Sequence, residues 1–120
     1  MPAAIDTLGA MVPGGWDEVR QRNHQLALAA TKIVAEAVGT EAVAPATMLG
    51  SMASIPLPAA APPSDGVDDL QHRLFTRHGI EVPVVHWSGT PPRLLRISAQ
   101  LYNDLDQFER LADALRAEGL

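Results

Sequence analysis

The residue best suited to chemistry in this chain is an arginine in an extended run. Across Arg93–Ala99, alternation puts Leu95, Ile97 and Ala99 on one side and Leu94, Arg96 and Ser98 on the other. If the first set meets the core, Arg96 projects from the opposite face of a strand, close to Gln100-Leu101-Tyr102-Asn103. A strand holds a guanidinium more rigidly than a loop does, and the planar fork matches a carboxylate or phosphate through two parallel hydrogen bonds. Each such charged bond contributes about 1.5–3 kcal/mol net. The same pattern also describes an arginine on a wetted sheet face, or one paired with an aspartate inside the fold. The residues alone leave these readings open.

The other reactive side chains are less well arranged. His24, His72, His78 and His86 include no pair on one helical turn, so no metal site is expected. His86, next to Trp87, falls at a strand end near the face that carries Arg96, either lining a substrate pocket or solvated. Asp65, Asp68 and Asp69 read as cap and first-turn charges rather than paired catalytic carboxylates. Ser51 and Ser54 have no neighbouring base and no nucleophile-elbow context. The one lysine, Lys32, sits inside an amphipathic helix with no glycine-rich phosphate cradle before it, which describes a solvated helix lysine. There is no cysteine, which removes disulfides, thiolate chemistry and zinc–sulfur sites.

Charge narrows the partners. The net charge is -5, and the arginines are scattered singly or in pairs. Nucleic-acid binding needs a field of Lys and Arg and is not expected. No apolar run approaches the roughly 20 residues of a membrane span, and the N-terminus lacks a basic segment leading into an apolar one. With the missing cysteines, these features give the expectation of a cytoplasmic protein that binds no membrane.

The elements that would position Arg96 follow from periodicity. The 120 residues, 47% of them apolar, suffice for one packed core. Residues 1–15 read as an N-terminal arm or short helix, ended by Pro13-Gly14-Gly15, with its packing partner expected outside the chain. Residues 16–38 read as the longest helix, with Val19, Leu26, Ala30, Ile33, Val34 and Ala37 along its apolar stripe and Gly39 as its stop. Ala42–Ala44 and Met48–Leu57 read as strands, followed by a proline-rich loop. A second helix is expected over 66–79, capped by Ser64 or Asp65. Ile80–Trp87 and Arg93–Ala99 then form a hairpin, with Pro83 marking an edge or a bulge. A last helix over 105–118 opens with Asp104 and Gln107 at capping-box spacing. The expected fold is α/β of the α+β kind: two layers, with helices on one face of a small, mainly antiparallel sheet and the other face open.

Four segments carry a family resemblance. Leu94-Leu95-Arg96-Ile97-Ser98-Ala99-Gln100-Leu101-Tyr102-Asn103 resembles the carboxy-terminal end of class V aminotransferase-fold enzymes, which are fold type I pyridoxal-phosphate enzymes. It is most similar to the isopenicillin N epimerase-like branch, with cysteine desulfurases and related carbon–sulfur lyases as cousins. In the same order come Pro13-Gly14-Gly15-Trp16 leading to Arg20, Arg22 and Asn23, then Gly50-Ser51-Met52-Ala53 with Leu57-Pro58, then Gly79-Ile80-Glu81-Val82-Pro83-Val84 ahead of Trp87. The resemblance implies that residues 16–120 are the carboxy-terminal small domain of such an enzyme. It implies that Arg96 grips a substrate α-carboxylate while Gln100, Tyr102 and Asn103 shape or brace the same region, Tyr102 having a place in the core as its alternative.

The resemblance also implies pyridoxal phosphate for the complete enzyme. The segments that hold it in the family, including the Schiff-base lysine, have no counterpart among these residues. The expectation is a chain that binds no cofactor and catalyses nothing alone. Its expected partners are a large domain or companion chain, a second copy of itself, and a small amino-acid-like carboxylate. A non-catalytic interaction or oligomerisation module derived from the same fold is the alternative.

Overall fold

A computed structural model describes all 120 residues. Helix α1 spans Pro2–Ala10 and α2 spans Gly15–Val38. A short 3-10 turn at Ala46–Met48 precedes strand β1, Met52–Pro56. Helix α3 is Asp69–His78, strands β2 and β3 are Val84–His86 and Arg93–Ser98, and α4 is Leu105–Ala117. The three strands form one antiparallel sheet in the order β1-β3-β2. The protein is therefore a small α+β domain, as its patterning predicts.

Alternation along the central strand sorts the two faces. In β3, Arg93, Leu95 and Ile97 are buried while Arg96 and Ser98 are exposed. In β1, Ala53 and Ile55 are buried and stand opposite Ile97 and Leu95 in the register. These side chains meet Val34 and Ala30 of α2, Leu70 and Leu74 of α3, and Phe108, Leu111 and Leu115 of α4 in one core. Burying a leucine or isoleucine side chain of this kind contributes about 1.5–3 kcal/mol.

The buried line of α2 runs through Val19, Asn23, Ala27, Ala30 and Val34, while Leu26 and Ile33 are only half-buried. The stripe is thus rotated from the one that leucine and isoleucine suggest. Ala27 and Ala30 occupy the fully buried side of the helix, and the larger side chains fall to its flanks.

Several boundaries differ from expectation for identifiable reasons. Ala42–Ala44 form no strand. The segment runs into Pro45, which has no backbone donor, and β1 pairs only with β3. The Met48–Leu57 strand is reduced to Met52–Pro56 because Ala46–Met48 coils into the 3-10 turn. Helix α3 begins at Asp69 rather than near 66. Gly66 has φ 82° and the Asp65 carboxylate accepts from Val67 N, which together make a turn. Asp68 is the residue that caps the helix, accepting from Leu70 N at 2.8 Å. Only Val84–His86 of the expected Ile80–Trp87 strand pairs with β3, and the carbonyl of Pro83 accepts from Arg96 N at 3.0 Å. The capping box of α4 forms as its spacing predicts, between Asp104 and Gln107.

Gly79 bears directly on the site. It ends α3 with φ 65°, a left-handed conformation that glycine reaches without steric cost. The reversal sends Ile80–Pro83 back alongside β3.

Candidate functional site

Because β2 stops at Val84, the stretch Arg96–Ser98 extends beyond it along the β2 side of the sheet. The gap is a cleft of about 380 Å³. One wall is Gly79–Pro83, the other is the start of α4, and β3 runs between them. Ile97, Phe108 and Leu111 give it an apolar base, while Arg96, Ser98, Asn103, Gln107, Arg110 and Glu81 bring polar groups to it.

Arg96 stands in the central strand, opposite Ser54 on β1 and bonded through its backbone to Pro83. Its position is held on both sides by the sheet while its side chain is exposed. Arg20, Arg22, Arg73, Arg77, Arg93 and Arg116 each pair with an aspartate or glutamate. Arg96 pairs with none.

The other residues singled out around Arg96 separate into distinct positions. Asn103 lines the cleft and is locked in place. Its Oδ1 accepts from Gln100 N at 3.0 Å, and its Nδ2 donates to Gln107 Oε1 at 2.9 Å. Gln100 lies outside the cleft lining. Its Oε1 accepts from Asn23 Nδ2 at 2.8 Å and from Leu101 N at 2.9 Å, tying the β3–α4 turn to α2. Tyr102 is 76% exposed, outside both the cleft lining and the core.

A second polar cluster lies on the buried face and was not evident from the motifs. Asp68 accepts from Arg93 Nε at 2.8 Å and Arg93 Nη2 at 2.7 Å, a two-pronged pair. His86 Nε2 donates to the same carboxylate at 2.5 Å. Arg93 Nη1 reaches the carbonyl of Pro58 at 3.0 Å, pinning the loop after β1. Burial by itself would raise the Asp68 pKa. The hydrogen bonds from Arg93, His86 and Leu70 N outweigh it and hold the carboxyl at about 2. His86 is therefore neither a pocket residue nor a solvated strand end. The available signal was parity, since Arg93 shares its side of β3 with Leu95 and Ile97 and must find an acid there.

His78 is likewise engaged. Together with Arg73 and Arg77 it contacts Glu118, closing the end of α3 onto the end of α4. The His78 hydrogen bond leads the effects that lower the Glu118 pKa, against the opposing effect of burial, with Arg73 and Arg77 adding to it. No group of three or more His, Asp or Glu side chains is placed to hold a metal ion. No helix is long and apolar enough to cross a membrane.

The residues do not fit pyridoxal phosphate. That cofactor requires a lysine amine for its imine and donors for its phosphate. Lys32 is exposed on α2, in a shallow depression lined also by Glu36 and Glu41 and by no arginine. Those carboxylates repel a phosphate.

The chain is 35% identical over 118 residues to isopenicillin N epimerase of Amycolatopsis lactamdurans, covering 97% of this chain and 27% of that protein. It is 31% identical to isopenicillin N epimerase of Streptomyces clavuligerus, covering 97% of this chain and 27% of that protein. It is 30% identical to L-cysteine desulfhydrase of Arabidopsis thaliana, covering 85% of this chain and 26% of that protein. No protein-family model matches. The chain thus spans about a quarter of the length of the curated relatives it matches, and it is similar to the carboxy-terminal portion of class V aminotransferase-family enzymes of the isopenicillin N epimerase and cysteine desulfhydrase type.

Proposed function

We propose that this chain is the substrate-carboxylate-binding small domain of a pyridoxal-phosphate-dependent epimerase or lyase-like enzyme, inactive until it meets a cofactor-bearing segment on another part of the polypeptide or on a companion chain. The observation that carries this reading is Arg96. It is held in the central strand, exposed, without an acid of its own, and at a cleft sized for a small molecule. Its guanidinium donates two parallel hydrogen bonds to the substrate carboxylate. Asn103, fixed by Gln100 and Gln107, forms the rim that limits how the bound acid can turn. Arg96 acts as an anchor and not as an acid or base. It anchors one end of the substrate so that the reacting carbon faces the segment that carries the chemistry.

Two measurements test this. The chain mixed with pyridoxal phosphate gives no imine absorbance, and a stoichiometric band that disappears in Lys32→Ala overturns the reading. Supplied in trans to an isopenicillin N epimerase lacking its carboxy-terminal quarter, the chain restores turnover, and Arg96→Ala lowers kcat/KM by roughly 100-fold, as expected for loss of a two-pronged charged pair. Equal rescue by the variant removes the anchoring role.

One observation favours a second reading, a non-catalytic interaction or oligomerisation module. Met52 and Val85 stand on the open sheet face, opposite Ser98 and Leu94 in the register, and are 53% and 41% exposed, with Trp87 at 53% just beyond the end of β2. Val85 and Trp87 lie toward one end of that face and favour a covering surface there, while Met52 lies at its opposite corner. Sedimentation showing a monomer at every concentration, with no partner retained, would count against it.

A further inference from the structure

Of the eight arginines, six pair with carboxylates, and the two that do not line the same cleft. The second is Arg110, exposed on α4, whose one hydrogen bond runs from Nη2 to the carbonyl of His78 at 3.3 Å. Two arginines without a carboxylate partner among the residues of one small cleft are unexpected in a chain of net charge -5, which has acids to spare. Glu81 also lines the cleft, yet it forms no ion pair with either arginine. Arg96 is carried by a strand and Arg110 by a helix, so their separation is set by packing of α4 on the sheet rather than by a flexible loop.

We propose that Arg110 is a specificity-determining residue that binds a second acidic group of the substrate, so that the cleft selects small dicarboxylates over monocarboxylates. This rests on the assignment of Arg96 as the carboxylate anchor and extends it. A ligand with one carboxylate satisfies Arg96 and leaves Arg110 to water. A ligand with two satisfies both, in a cleft whose volume of about 380 Å³ suits a molecule of amino-acid size. The fork of Arg110 offers a carboxylate more donors than its single long bond to the His78 carbonyl uses, so binding does not require that bond to break.

The test is a titration of the chain with glutarate, butyrate and inorganic phosphate, followed by amide chemical shifts, in the wild type and in Arg96→Gln, Arg110→Gln and Arg110→Lys. Thermal melts confirm that each variant is folded. Glutarate binds about tenfold more tightly than butyrate, the effect expected of one additional charged contact at an exposed site. Arg110→Gln reduces glutarate to the butyrate level and leaves butyrate unchanged, while Arg110→Lys retains part of the preference. Arg96→Gln weakens both acids. If Arg110→Gln leaves the glutarate-to-butyrate ratio intact, the inference fails and the anchor stands. If Arg96→Gln changes neither acid while Arg110→Gln does, the anchor fails instead. Phosphate binding as tightly as glutarate shows a general anion site and overturns the dicarboxylate assignment. Absence of binding by any of the three acids up to tens of millimolar overturns both.

Discussion

Arg93 and Arg96 lie three positions apart on the same strand and have opposite fates. Arg93 faces the helices, is 7% exposed, and gives its donors to Asp68 and the Pro58 carbonyl. Arg96 faces outward and gives its side-chain donors to nothing in the chain. The strand's period of two makes the difference. A charge turned toward the core is tolerated only with a partner, because removing it from water is otherwise too costly. A charge turned outward keeps its hydration and remains free for a ligand. Within one strand, the first arginine holds the fold together and the second is available for recognition.

The contrast can be broken most directly at the buried end. Arg93→Ala leaves Asp68 buried without its main partner and frees the loop at Pro58. Losing one member of a buried pair costs about 3–5 kcal/mol, and urea unfolding monitored by circular dichroism measures it. A loss below about 1 kcal/mol would mean that the cluster is solvated and the comparison misdrawn.

A smaller effect comes from acid. Asp68 titrates at about 2 in the folded chain, against an ordinary value of 3.8. Its ionised form therefore stabilises the fold fully above pH 4, and that contribution is lost as pH falls from about 4 toward 2. After allowance for solvent screening the contribution is roughly 1–2 kcal/mol. Asp68→Asn keeps a capping side chain but removes the titration. The stability difference between wild type and Asp68→Asn then narrows over that window, and unfolding curves at a series of acidic pH values test it. A difference constant from pH 5 to pH 2 would place the acid sensitivity elsewhere.

The smallest effect is the one that sharpens the comparison. Arg96→Ala changes stability by no more than about 0.5 kcal/mol, the usual range for an exposed side chain with no partner, while it removes carboxylate binding. A large loss of stability in that variant would show that Arg96 serves the fold after all.

Much of this was legible in the residues. Helix spacing, the Asp104–Gln107 box and the terminating Gly39 and Gly79 mark elements whose local signals agree with their tertiary setting. Parity alone put Arg96 on the outer face. The failures occur where tertiary contacts outvote local preference. Ala42–Ala44 had strand-like residues but no neighbour to pair with. Ile80–Val82 had β-branched bulk, yet they pass as a wall of the cleft rather than a strand. Asp68 looked like an ordinary cap charge and His86 like a strand-end residue, because the two groups that meet at the Asp68 carboxylate lie 18 and 25 positions from it along the chain.

What the sequence settles by itself is therefore short-range: period, caps, stops, and the side of the strand on which each arginine falls. Those properties depend on backbone geometry within a few residues. Only the tertiary structure decides which acid meets Arg93, that Arg96 meets none, and that Arg110 from another element shares its cleft. These depend on the packing of α4 and the Gly79–Pro83 segment against β3, and such distances between elements leave no trace in local spacing.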